Sequence, residues 1–353
     1  CNQQRHAPST KNKYFVIGES CHVEDDFPCN DVEEISIKGM EKLLLSLDFP
    51  NCHQVIFHSL PTLYRKKFLP LIPAHIPVTW IFYGYEYYHR RFIIEKYMDP
   101  LTRSYYRSWA NPHFLGQWAH RMIDHLRGET KQYKLDLKRI NRFAHWNPAE
   151  YQIIRDRFNL KKFEYVPFSM GLPVHHLVSD PEYRYLLLGH SGALTINHLD
   201  GLETLPQSLF ERFDRIVIPL SYGAGKSYQK KVKYAARKKV GDKAFFLERY
   251  MDRTTYFNLL SRVKLAWMPQ IRGMAGGNVL FCLKNNIPIV FRQQSIMYQY
   301  FAGQGFQVFS SEEVHSQIPI LSLKQKVHNQ KLLDRHFGAK VIQQQYQNLL
   351  SPL

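Results

Sequence analysis

Short apolar runs recur along this chain, and most of them stop at glycine, proline or a polar residue. Residues 13–18, 54–58 and 77–83 read as strands, with a shorter one at 34–37. Residues 141–146 and 163–168 read as two more, and 39–48 has the apolar spacing of an amphipathic helix. A continuous apolar run between turn residues fits a strand buried on both faces of a parallel sheet. Past residues 171–181, where Pro173, His175, His176 and Ser179 make the best linker, the alternation begins again. Strands are expected at 185–188, 215–220, 244–247, 264–270, 287–291 and 306–309. Helices are expected at 197–205, 226–239, 253–262 and 279–284, with Asp252 as an N-cap, and 323–350 is a long, polar helical stretch. Strands alternating with helices predict α/β layers. The restart at 185 predicts two such domains, 1–175 and 176–325, followed by terminal residues 326–353.

One strand-to-helix turn stands out. Arg272-Gly-Met-Ala-Gly-Gly-Asn278 joins the expected strand 264–270 to the helix 279–284. Glycine lets backbone approach a ligand closely. A helix start offers N–H groups and a positive dipole end to an anion. Arg272 adds a forked, permanent cation. In isolation a tight turn with a surface arginine would read the same. Other strands, however, also end in glycine loops, Gly189-His-Ser-Gly192 and Ser221-Tyr-Gly-Ala-Gly225. Ligands of open α/β sheets collect at the carboxyl ends of the strands. Gly189, Ser191, Gly192, Arg272, Gly276, Gly277 and Asn278 are therefore candidate ligand contacts, and Tyr222 offers a ring to a nucleobase. Gly225-Lys226-Ser227 ends like a P-loop, but Leu220 stands where its first glycine belongs, so an NTPase is not expected. Gly189–Gly192 also lacks the third glycine of a dinucleotide fingerprint and is no G-x-S-x-G elbow.

Composition narrows the ligand. The 353 residues are 44% hydrophobic and 14% aromatic, ample for folded cores and unlike a disordered chain. The net charge of +17 calls for a polyanionic partner, an anionic membrane surface or phosphorylated ligands. The five cysteines, Cys1, Cys21, Cys29, Cys52 and Cys282, form no C-x-x-C pair, so neither a disulfide framework nor a zinc site is indicated. No D-x-D motif stands ready for a metal-bound diphosphate; the acidic 24–26 cluster is the nearest substitute. No metal and no cofactor is expected. No apolar run reaches the roughly 18 residues of a membrane-spanning helix. The chain opens on Cys1 rather than methionine, which leaves room for a start further upstream.

Residues 85–142 interleave aromatic and basic side chains, with helical stretches at 92–98 and 115–126. Such a mixture suits an anionic membrane surface or nucleic acid. Ordinary helices with their aromatics turned to the core have the same composition.

At this level of detail a family can be recognised. Phe57-His58 with Pro61-Thr62-Leu63, Trp80 with Gly84-Tyr85-Glu86 and Tyr88, Gly189–Gly192 with His198, Pro219 with Tyr222, Tyr256 with Leu259-Leu260, Arg272 with Gly277, and Ile287-Pro288 follow one another in a recognisable order. Together they resemble the TDP-N-acetylfucosamine:lipid II N-acetylfucosaminyltransferases, the 4-alpha-L-fucosyltransferase family of enterobacterial common antigen synthesis. Glu86 stands where that family has Asp. The resemblance implies a GT-B fold, two Rossmann-like α/β domains facing across a cleft, with the terminal helix packing back on the first domain. It implies a nucleoside-diphosphate sugar donor of the TDP type and a saccharide acceptor on a polyprenyl diphosphate. The enzyme would then work in the cytoplasm, peripherally bound to the anionic inner face of the cytoplasmic membrane, with no nucleic acid partner.

The residues fit that chemistry on their own terms. Charge growing on a departing nucleoside diphosphate needs backbone N–H groups and a cation. Arg272 and the Gly276-Gly277-Asn278 helix start supply both, and His198 caps or contacts the donor. The acceptor hydroxyl needs a base. Glu86 is the first candidate, in an aromatic setting that would raise its pKa, although Arg90 one turn on would also pair with it. Glu19 and His58 are rivals, and a histidine at a strand end is as readily a core residue. The alternative from a different class is a non-catalytic basic protein that binds nucleic acid or anionic lipid, and its binding would fall steeply with salt.

Overall fold

In the computed structural model, which describes residues 12–17, 32–46, 51–110, 129–171, 180–223 and 225–351, the apolar runs fold as parallel strands. The chain divides into two units. One lies within Cys1–Glu86, Met122–Gly171 and Ala339–Leu353, the other within Tyr87–Arg121 and Leu172–Gly338. Among the described residues no sheet runs through both.

In the first unit β1 (Tyr14–Ile17) and β2 (Val32–Ile35) form a separate parallel pair. The main sheet has four parallel strands in chain order, β3 (Val55–His58), β4 (Val78–Ile81), β5 (Arg142–His145) and β6 (Glu164–Pro167). Every residue of β4 is buried, as its unbroken apolar run requires. Trp80 packs edge-on against Phe82 and Phe143, with ring centroids 5.2 and 5.4 Å apart. The helix Ala339–Leu350 sets Ile342, Tyr346 and Leu349 against Ile81, Ala144, Val166 and Phe168. Gln345 accepts from the Ser169 N–H at 2.8 Å and fixes that docking. The expected stretch 323–350 is thus two helices, Leu323–Phe337 and Ala339–Leu350, parted at Gly338 and placed in different units.

The second unit is built on a six-stranded sheet. Its strands are β7 (Tyr185–Leu188), β8 (Arg215–Pro219), β9 (Ala244–Leu247), β10 (Val263–Met268), β11 (Ile289–Phe291) and β12 (Phe309–Ser310). They pair in parallel in the order β12-β11-β10-β7-β8-β9. The first strand lies in the middle, and the winding reverses between β7 and β10. This is the doubly wound order, whose switch point holds the ligand crevice. The core beneath it joins Leu186, Leu188, Ile216, Ile218, Leu265 and Trp267.

Residues 87–110, expected in the first domain, belong to the second unit. The helix Pro100–Ala110 is held there by side chains distant in sequence. Asp200 accepts from the Leu101 and Thr102 N–H groups at 2.8 and 2.9 Å, and Asn197 accepts from Asp99 N at 2.9 Å. Arg292 donates to the Asp99 carboxylate at 2.9 Å. The bonds to Asp200 and Asn197 satisfy open N–H groups at the helix start. The expected helix 115–126, the 24–26 cluster and most of the linker lie outside the described residues.

Candidate functional site

The loops after β7, β8 and β10 meet at the switch point. Gly189 has φ +71°, and its N–H donates to Trp267 O of β10 at 2.9 Å. A Cβ there would come within 2.6 Å of Ile196, so only glycine fits both the twist and the space. The Gly192 N–H donates to Tyr222 O at 2.7 Å, and a Cβ on Gly192 would meet that same oxygen at 3.0 Å. The glycines of the β7 loop therefore let three strand ends close on one another. Ser191 is buried beneath this junction and hydrogen-bonds the Tyr222 side chain, whose ring is otherwise largely exposed.

After β10 the backbone passes Gln270 and Arg272 and turns through Ala275, at φ +67°, into the helix Gly276–Lys284. No side chain caps this helix, and no acidic residue stands in its first turn. Its first N–H groups and dipole are therefore available to an anion. The Gly277 position faces open space, with nothing among the described residues within 4 Å of an added Cβ. Asn278 donates to the Tyr256 hydroxyl at 3.2 Å, which ties the helix start to the neighbouring helix Arg253–Leu260. That helix has the expected cap, Asp252 accepting from Thr255 N.

Arg272 is only 4% exposed. Its Nε donates to Thr195 Oγ1 at 2.9 Å, and its guanidinium carbon lies 5.0 Å from the centre of the Tyr88 ring. Arg272 thus links the β10 loop to the β7 loop. His190 is held neutral, its pKa lowered to about 3 by burial, then by the Arg272 charge and by His198. His198 is fully buried, its pKa also lowered to about 3 by burial, and Nε2 lies 3.2 Å from where a Gly189 Cβ would stand. It packs under the glycine loop rather than reaching the surface.

Gln270 was not foreseen as a site residue. It is fully buried, and neither side-chain polar atom has a hydrogen-bond partner among the described residues. An unpaired buried amide costs about 1–3 kcal/mol, which a ligand or an ordered water would recover. Its only trace in the sequence is a polar residue closing an apolar run.

The base candidates Glu86 and His58 lie in the first unit, at the carboxyl ends of adjacent strands. His58 ends β3 and pairs in register with Ile81 of β4. Its surface is exposed, yet surrounding protein still pushes its pKa below the usual 6.5; the open surface decides whether a substrate can reach it. The Glu86 carboxylate turns inward. Oε1 accepts from the Trp80 indole and from Tyr83 N, both at 3.1 Å, while Oε2 is buried with no hydrogen-bond partner among the described residues. Burial raises its pKa, opposed by backbone N–H groups and Trp80. Glu86 pins the turn that follows β4. At the end of β5, His145 has its pKa lowered to about 4 by burial, with Asn147 opposing. Glu19 lies outside the described residues. Among those described, no three His, Cys, Asp or Glu side chains gather to hold a metal, and no helix is long and apolar enough to cross a membrane.

Residues 137–352 match the family described as 4-alpha-L-fucosyltransferase, glycosyl transferase group 56. The fold is similar to that of a glycosyltransferase from Rickettsia africae, with a TM-score of 0.60 and 11% identity over 97% of this chain and 91% of that one. It is similar to the N-terminal domain of Candida albicans trehalose-6-phosphate phosphatase, with a TM-score of 0.58 and 10% identity over 99% and 91%. It is also similar to the UDP-forming trehalose-phosphate synthase of Burkholderia xenovorans, with a TM-score of 0.56 and 9% identity over 89% and 76%. At such identities the likeness establishes the fold alone, and that fold is the GT-B architecture expected from the sequence. No curated protein matches the chain in sequence.

Proposed function

Since this chain belongs to the 4-alpha-L-fucosyltransferase family, glycosyl transferase group 56, and is a glycosyltransferase, we propose that it moves a fucose-like amino-deoxy sugar from a TDP-type donor to a lipid-linked saccharide. Family membership sets aside the non-catalytic alternative. The observation that carries the site is the buried Arg272 beside the uncapped, glycine-lined start of Gly276–Lys284, at the switch point of the second sheet. The donor diphosphate sits there, with the base near Tyr222. As the bond from the anomeric carbon to the diphosphate oxygen breaks, charge grows on the leaving group. The helix N–H groups and Arg272 stabilise it without a metal. The acceptor oxygen forms the new bond and gives up its proton to a base.

His58 is that base. Its exposed position at the end of β3 supports the role, as does a pKa lowered by burial, which keeps the ring neutral at pH 7. His58→Ala is expected to lower kcat by about 10²–10⁴ and leave donor binding intact. In the natural enzyme kcat/KM should fall as the pH drops through a pKa below 6.5, where the base becomes protonated. Full turnover in His58→Ala together with loss in Glu86→Gln would return the role to Glu86.

A lipid-linked acceptor would bring the enzyme to the anionic inner face of the cytoplasmic membrane through exposed basic side chains of residues 85–142, such as Arg107, Lys131 and Lys138, while Tyr87, Tyr88 and Tyr133 of that region are buried. Flotation should recover the protein with anionic vesicles and not with neutral ones. Equal recovery with both, or with neither, contradicts this placement.

A further inference from the structure

Arg272 is held from two directions. Thr195 Oγ1 accepts from Nε at 2.9 Å, and the guanidinium carbon lies over the Tyr88 ring, 5.0 Å from its centre. Tyr88 is completely buried. Its own ring is fixed edge-on by Tyr87 and Tyr97, with centroids 5.0 and 4.7 Å away. The stack is tied to the sheet where Asn197 Nδ2 donates to Tyr97 O at 3.1 Å. All of these residues belong to the second unit. A guanidinium over an aromatic face is attracted by the ring's electron density, most strongly where water is excluded. The contact constrains the plane of the guanidinium, and the Thr195 bond constrains its rotation.

We infer that Tyr88 is a positioning residue for the transfer reaction, its ring face orienting the Arg272 guanidinium toward the donor diphosphate. The inference rests on the donor site proposed above. The function belongs to the ring rather than to the hydroxyl, so phenylalanine should serve in its place.

A double-mutant cycle read by calorimetric titration of TDP and of UDP tests this. Tyr88→Phe should bind within about twofold of the natural protein, and Tyr88→Met should bind about tenfold more weakly. In an Arg272→Ala background Tyr88→Met should change affinity by less than about twofold, because the group it positions is gone. An equal loss in both backgrounds would show that Tyr88 acts only by packing and overturn the inference. So would a loss in Tyr88→Phe as large as that in Tyr88→Met. If Tyr88→Met does not fold, a ring-fluorinated phenylalanine at this position keeps the shape and weakens the ring face; it should show the same drop, and unchanged affinity overturns the inference. Full affinity in Arg272→Ala alone overturns the donor site itself, as does failure of TDP, UDP, GDP and ADP alike to bind the natural protein.

Discussion

Arg272→Ala is expected to lower kcat by about 10²–10³, the loss seen when one preorganised donor is taken from a developing anion. The side chain is buried and bonded to Thr195, so its field acts in a setting poor in water. Arg272→Lys should recover only part of the rate, because a point charge on a flexible stem reproduces neither the fork nor the guanidinium's contact with the Tyr88 ring. Truncation also leaves a void, so thermal unfolding measured beside the kinetics separates lost stability from lost catalysis. Gly277→Val gives the complementary result. Its side chain enters open space at the helix start, so the melting temperature should hold. Diphosphate affinity should nevertheless fall by about tenfold or more, about 1.4 kcal/mol, because the valine stands where the phosphate would sit. Near-normal turnover in Arg272→Ala with unchanged diphosphate affinity in Gly277→Val would remove the site from this turn.

Loss of stability in mild acid is the second large effect expected. Burial holds His145 at a pKa of about 4 and His190 and His198 at about 3. In the unfolded chain the same rings titrate near 6.5. Below that value the unfolded chain binds protons that the native one refuses, so stability present above about pH 6.5 is lost as the pH falls. Each fully excluded ring contributes a slope of about 1.4 kcal/mol per pH unit. His198, with no exposed surface, should approach that slope, and the partly exposed His145 and His190 should contribute less. Glu86 and Asp99, raised by burial, act with the opposite sign, favouring the folded state as the pH falls toward their unfolded values near 4. Urea midpoints should therefore drop steeply between pH 6.5 and about 4.5. His198→Leu, which removes a ring with no hydrogen-bond partner among the described residues, should flatten the slope. A midpoint that stays level over this range would show that these rings are solvated.

Strands were readable where burial is two-sided. The run at 185–188 became β7 without adjustment, buried through Leu186–Leu188 at the middle of its sheet, whereas 244–247 became β9 at the sheet edge, where Phe245 stays exposed. Of 306–309 only Phe309 entered a strand, at the sheet edge, where one neighbour leaves less to fix the backbone. The helices Pro100–Ala110 and Pro148–Phe158 were overlooked, although each opens with proline in its first turn, and Asn147 caps the second by accepting from Ala149 N. That Pro100–Ala110 belongs to the second unit was not legible, because its cap, Asp200, is supplied from about a hundred residues away.

The site divides in the same way. Glycines required by a positive φ or a close approach announced themselves at Gly189 and Gly192. Arg272 and the helix start were legible from local chemistry. The partners of Arg272, Thr195 and Tyr88, were not, because their contacts exist only once the chain has folded. Glu86 stood out as a carboxylate among aromatic residues. Its inward turn onto Trp80 and Tyr83 depends on the geometry after β4, which composition does not record.

We propose that the turn after β10 holds a nucleoside diphosphate. Titration of TDP, with UDP, GDP and ADP alongside, into the natural protein and into Arg272→Ala, in the presence of a chelator, tests it most directly. The natural protein should bind one of these diphosphates and be stabilised by it, by about 2.7 kcal/mol at a hundred times the dissociation constant. Arg272→Ala should bind it at least tenfold more weakly. Equal binding by both proteins, or none by either, would contradict the account.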